Sequence, residues 1–175
     1  EAFFAVPQGK SAGYHEAISL SSDMAINKIK EIIAPTIIGM EANFQKIDKT
    51  LIEKDGTSQK KSLGANAILG TSIAVAKLQA KIEKKPLFDF LSQFFTGQQG
   101  NFSLLMNLIN GGVHSFNGPP FQEYLIVLKG NTFAESIFLG AKIYKEIGDA
   151  LKTNIGDEGG YVPMERDVEF PLRLF

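Results

Sequence analysis

The chain contains no cysteine and no tryptophan among its 175 residues. Without cysteine, neither a disulfide framework nor a thiolate metal site can form. The absence fits a reducing compartment, and a cytoplasmic protein is expected. Charge of one sign is also missing: 18 Lys and Arg stand against 19 Asp and Glu, for a formal net charge of −1. That balance gives no support to nucleic-acid binding. The basic cluster Lys77, Lys81, Lys84 and Lys85 falls on one helix and its exit, as a solvated face would. Apolar runs are short and broken by Pro35 and Pro86, so no membrane span is expected. The opening residues, Glu1 to Pro7, lack the basic region of a signal peptide. The first methionine is Met24, so a longer translation product is expected.

What is present is ordinary globular composition, 44% hydrophobic and 21% charged, with Phe over-used at 14 residues. One medium domain or two small ones fit this length. A chain of this size buries roughly 68–70% of the surface it exposes when unfolded, enough for a real core. Phe3 to Val6 reads as the end of a strand running into a glycine-rich loop, Pro7 to Gly13. A helix follows, with Ser22 or Asp23 as N-cap, Ile26, Ile29 and Ile33 on one face, and Pro35 ending it. Phe44, Ile47, Leu51 and Ile52 mark a second helix, closed by the turn Asp55-Gly56-Thr57. Ser62 to Glu83 is the longest helical stretch, and its many small residues predict a buried helix. Leu87, Phe88, Leu91, Phe94 and Phe95 predict another amphipathic helix.

Thr96 to Asn101 is the best linker, and the character of the chain changes after it. Leu104–Asn110 and Phe121–Leu128 read as strands. Thr132 and Glu135 form a capping box that opens a helix with Ile137, Phe138, Ala141, Tyr144, Ile147 and Leu151 on its apolar side. A further helix is expected from about Asp167. Strand, strand, helix and turn in that order predict an α/β unit.

The chemistry-bearing residues gather in this second half. The turn Gly156-Asp157-Glu158-Gly159-Gly160 sets two carboxylates between glycines, which allow positive φ and close approach to a ligand. Taken alone, such a turn has the composition of a solvated loop. Asn110-Gly111-Gly112-Val113-His114 leaves the first strand, and Gln122 and Glu123 open the second. A glutamate in an apolar strand is costly to bury unpaired, so Glu123 is either an edge residue or part of a site. His114, Glu123 and Glu158 could supply paired carboxylates, one acting as acid while its neighbour holds charge. Spacing does not separate this from a glycosidase pair or a metal site.

Five segments in order resemble enolase. They are Pro7–Gly13 with His15-Glu16-Ala17, Ser62–Gly70, Asn107–His114, Phe121-Gln122-Glu123 and Gly156–Gly160. The resemblance implies an α/β protein: an enolase N-terminal-like α+β domain at residues 1–100, then the first part of a β/α (TIM-like) barrel at 101–175, incomplete in this chain. It implies a lyase that dehydrates 2-phosphoglycerate to phosphoenolpyruvate with two Mg2+ ions, as a homodimer. Glu158 would sit on the acid side and Glu123 in the same carboxylate network. His114, Gln122 and Glu123 would bind substrate, and Ser11 would reach the second magnesium. Three positions of the serine loop, Gln8, Lys10 and Ala12, depart from the usual Pro-Ser-Gly-Ala-Ser-Thr-Gly. Residues 19–23 and 151–154 are shorter than in the family. The main magnesium ligands, the lysine base and the phosphate-binding arginine have no counterpart here, so the segment by itself is expected to be inactive. The alternative is a non-catalytic enolase-like structural or binding protein. An unrelated two-carboxylate hydrolase would leave the serine loop unexplained.

Overall fold

The structure is a computed structural model and describes residues 1–9, 11–97 and 103–174. It divides into two compact units, Glu1–Gln98 and Gln99–Phe175. The expected linker falls largely on residues 98–102, outside the described residues.

The first unit is helical. Helix α1, Ser22–Lys28, is capped one residue earlier than expected: the Ser21 hydroxyl accepts the Met24 N–H. Pro35 does not end the helix. A π-turn at Ile29–Ile33 intervenes, the Ala34 N–H donates to the Ile29 carbonyl, and α2 runs on over Ala34–Ile37. Proline lacks an N–H and its ring crowds the preceding turn; the wider π-turn lets the chain pass through without breaking. Helix α3, Phe44–Asp55, starts at an Asn43 cap and stops at Gly56 in the left-handed region.

Helix α4 spans Ala65–Ile82, beginning later than the sequence suggested. The Leu63 N–H is already committed to the Asp55 carboxylate at 2.8 Å, which holds residues 61–63 in a turn. Asn66, inside the segment that resembles the family's central helix, has a structural task. Its side chain accepts from the Leu20 N–H and donates to the Leu20 carbonyl, at 3.1 and 2.9 Å. Ile33, Ile47, Leu51, Leu63, Ala67 and Ile68 form the core of this unit.

Two expectations change here. Residues 3–6 form no strand, because no ladder among the described residues pairs with them and a lone strand leaves its backbone groups unmet. The carbonyls of Phe3 and Glu1 instead accept exposed bonds from Lys77 and Lys81, and Lys81, Lys84 and Lys85 are exposed as a solvated face requires. Helix α5 is short, Leu87–Ser92, and buries Phe90 rather than Phe88 or Phe95. Phe90 meets Phe44 and Phe94 edge-on, an arrangement aromatic quadrupoles favour, and this fixes which face turns inward.

The second unit is a β-hairpin covered by one helix. Strands β1, Leu104–Asn110, and β2, Glu123–Leu128, pair antiparallel from Leu104↔Leu128 to Asn110↔Glu123. A bulge interrupts the register between Asn107 and Ile109. Helix α6, Phe133–Leu151, opens with the expected Thr132–Glu135 capping box. Its buried face runs through Ser136, Gly140 and Ile147, while Ile137 and Phe138 are exposed. The rotation follows from Gly140: a Cβ there would lie 2.8 Å from Leu128 Cδ1 and 3.0 Å from Met106 Sδ, so this stripe is where the sheet comes closest. Leu108, Ile109, Tyr124, Ile147 and Tyr161 are the core. Tyr161 bridges Ile109 in parallel and Ile155 antiparallel, laying the segment after the acidic turn beside β1. The chain then forms a short 3-10 helix at Pro171–Leu174, later and tighter than the helix expected near Asp167.

Candidate active site at the acidic turn

The bulge is what builds the site. Before it, Met106 pairs with Ile126 and Asn107 with Leu125, on opposite faces of the hairpin. The extra residue, Leu108, shifts the alternation, so that Ile109 joins the core opposite Tyr124 and Asn110 pairs with Glu123. Asn107 and Asn110, three positions apart, therefore both reach the acidic turn. The Asn107 Nδ2 donates to the Glu158 carbonyl at 3.3 Å, and the Asn110 Nδ2 to Glu158 Oε2 at 3.3 Å.

The turn itself is held from several sides. The Gly156 N–H donates to the Gly160 carbonyl at 2.7 Å, and the Gly160 N–H to Asn110 Oδ1 at 2.9 Å. The Tyr161 N–H donates to Leu108 and the Asn110 N–H to Tyr161, at 2.8 and 2.9 Å. Gly159 takes a φ of +83°, as the glycine-rich sequence implied. From α6, the Tyr144 hydroxyl donates to the Gly159 carbonyl at 2.7 Å. Burial, reinforced by neighbouring Tyr161, pushes that hydroxyl above the usual phenol range. It therefore stays a donor at any working pH.

The Glu158 carboxylate, with its side chain 21% exposed, collects its partners at the mouth of this turn. Gln122 Nε2 donates to Oε1 at 3.2 Å, opposite the Asn110 bond to Oε2. His114 stands between two carboxylates: Nδ1 is 3.0 Å from Asp157 Oδ1 and Nε2 is 3.5 Å from Glu158 Oε1. Its side chain is only 5% exposed, so its reach is fixed. An imidazole placed so can pass a proton between the two acids.

Of the residues singled out from sequence, His114, Gln122 and Glu158 come together directly. Gln122 lies just before β2, so strand alternation does not force it away from Glu123. Glu123 is exposed, opposite Asn110 in the ladder, and its side chain makes no hydrogen bond or ion pair with the described residues. Ser11 lies in the first unit, in an exposed bend. Sequence reasoning gave Asn107, Asn110 and Tyr144 no part in the site, and read Asp157 only as one of the two carboxylates of the turn. For Asn110 a signal existed: a fully buried amide ending an apolar strand must find partners. Among the described residues no three His, Asp or Glu side chains converge in a form that could hold a metal ion. The acids here are engaged by amides and an imidazole instead.

The fold and site define a class: an N-terminal helical unit of an α+β domain, followed by the opening strands and helix of a β/α barrel with its polar groups at strand ends. Residues 2–91 match the family model for the enolase N-terminal domain, and residues 103–174 that for the enolase C-terminal TIM barrel domain. The chain belongs to the enolase family. An enolase of Methanopyrus kandleri (strain AV19) is 41% identical over 186 aligned positions, covering 95% of this chain and 43% of the relative. An enolase of Malacoplasma penetrans (strain HF-2) is 37% identical over 191 positions, covering 97% of this chain and 42% of the relative. The chain thus spans less than half the length of these relatives. No helix among the described residues is long and apolar enough to cross a membrane.

Proposed function

We propose that the full-length protein carrying this sequence is a phosphopyruvate hydratase, dehydrating 2-phosphoglycerate to phosphoenolpyruvate. In this reading residues 1–100 are the N-terminal domain and 101–175 begin the barrel. The observation that carries it is the setting of Glu158. Its carboxylate is partly open and receives donors from Asn110 and Gln122, with His114 beside it. Loss of a hydroxyl needs a proton delivered to the departing oxygen, and a carboxyl fixed in place but open on one side suits that task. His114 would relay the proton, with Asp157 holding the far side of the ring. Gln122 and Glu123 would contact the substrate. Ser11, on its loop, would close over the bound substrate and exclude water.

Magnesium enters this proposal through the family, with Ser11 as the candidate ligand in this chain; among the described residues the acids of the second unit offer no ready cluster for it. A cytoplasmic homodimer belongs to the same reading. The test is to purify the full-length protein, add magnesium and 2-phosphoglycerate, and follow the ultraviolet absorbance of the enol product. Formation of phosphoenolpyruvate is expected. A folded protein that forms none would overturn the proposal and leave a non-catalytic enolase-like binding or structural protein in its place.

A further inference from the structure

We infer that Asn110 is the positioning residue for the Glu158 carboxylate, and that the bulge in β1 exists to aim it. Three bonds fix this residue. Its backbone N–H donates to Tyr161, its Oδ1 accepts from the Gly160 N–H, and its Nδ2 is thereby turned toward Glu158 Oε2. Because the Gly160 N–H can only donate, it dictates which end of the amide faces the acid. Asn110 is fully buried, so no water competes for either end. The turn is built around it: a Cβ on Gly156 would lie 2.8 Å from Asn110 Oδ1, and one on Gly160 would lie 2.8 Å from the Asn110 nitrogen. One side chain thus ties the backbone of the turn to the reactive end of its glutamate. Asn107 differs, since it holds only the Glu158 carbonyl.

The inference deepens the proposed function, where Glu158 is the acid, but it can be tested without turnover. Asn110→Asp retains an oxygen for the Gly160 N–H and replaces the donor with a second carboxylate against Glu158. Like charge disfavours ionisation, on top of Asp157 next door; His114 and Glu123 are the other titratable groups near this end of the sheet. In the full-length protein, carbon NMR of labelled glutamate should show the titration of Glu158 moving upward by about one unit or more. Turnover should fall ten-fold or more, roughly, with KM changed far less. Asn107→Asp, whose new charge faces the Glu158 carbonyl and not its carboxylate, should move the Glu158 titration less than Asn110→Asp does.

A second measurement does not depend on Asn110→Asp folding. In the unsubstituted protein the Asn110 side-chain amide resonances should move as Glu158 titrates, and Glu158→Gln should abolish that movement. An unmoved Asn110 amide, or a folded Asn110→Asp protein with an unshifted Glu158, overturns the inference. Absence of phosphoenolpyruvate with the coupled titration intact would instead overturn only the proposed function.

Discussion

Two acidic glycine turns in this chain use their carboxylates in opposite ways. Asp55, at the end of α3 beside Gly56, is 4% exposed. Its partners are the Thr57 hydroxyl and the N–H groups of Thr57 and Leu63, the farthest only eight residues away. Glu158, on the second turn, is held by side-chain amides 36 and 48 residues distant. One edge of it stays open. A carboxylate saturated by nearby backbone donors closes a loop and is finished. A carboxylate positioned by remote side chains, with exposure left over, is free to meet a ligand. Composition does not separate the two turns; the origin of the donors does.

The largest expected effect breaks the comparison on the side of the site. Glu158→Gln in the full-length protein should reduce turnover by about 100- to 10,000-fold, the usual worth of a general acid. Its thermal midpoint should move little, since the amide oxygen can still accept from Asn110 and the exposed Gln122 can turn its own oxygen to the new NH2. A variant that unfolds would place Glu158 in the same structural role as Asp55. On the other side, Asp55→Ala strands the buried Leu63 N–H and the Thr57 N–H. The stranded Leu63 donor costs about 1–3 kcal/mol and the half-buried Thr57 donor less, measurable by urea unfolding. Turnover per folded molecule should be unchanged.

The glycines sharpen the contrast at a smaller scale. A Cβ at Gly160 would press on the Asn110 backbone nitrogen at 2.8 Å, which cannot swing aside, and on Asn107 Oδ1 at 2.9 Å. Gly160→Ala should therefore cost about 1–3 kcal/mol through overpacking and lower turnover by displacing Glu158. Gly56 has open space, its nearest contact being the Glu53 carbonyl at 3.8 Å, but a φ of +68°. Gly56→Ala should cost about 1–2 kcal/mol from the left-handed conformation alone and leave turnover untouched. Equal losses of activity from both variants would erase the distinction between the turns.

These contrasts also show what was legible in the sequence. Capping boxes, strand periodicity and glycine-flanked acids are local signals, and Thr132–Glu135, β1 and the acidic turn were readable from them. His114 and Glu158 were readable as a group from their places at strand ends and turns; the part of Gln122 came from a resemblance. The rest depends on tertiary packing. Nothing local announces that a bulge at Leu108 turns Asn110 toward residue 158, or that the π-turn carries the chain past Pro35. The choice of Phe90 over Phe88 was set by Phe44, more than forty residues earlier. The buried stripe of α6 was likewise decided by how closely Gly140 allows the sheet to approach.

The smallest expected effect is the pH dependence of the first turn. Burial pushes the Asp55 carboxyl up, but bonds from the Thr57 hydroxyl and from the backbone of Leu63, Thr57 and Ser62 outweigh it and hold the group below the ordinary carboxylate range. A depressed folded-state value means that the unfolded chain takes up its proton first as the pH falls. The stabilisation is therefore complete above the unfolded value of about 3.9 and disappears as the pH drops through the folded one. Asp55→Asn cannot titrate. The difference in unfolding free energy between the unsubstituted protein and this variant should be constant near neutrality and shrink as the pH falls below the unfolded value. Urea midpoints across that range measure it. A difference that stays constant to the acid end would mean that Asp55 holds Leu63 and Thr57 equally well when protonated. The first turn would then owe its firmness to geometry alone, not to charge.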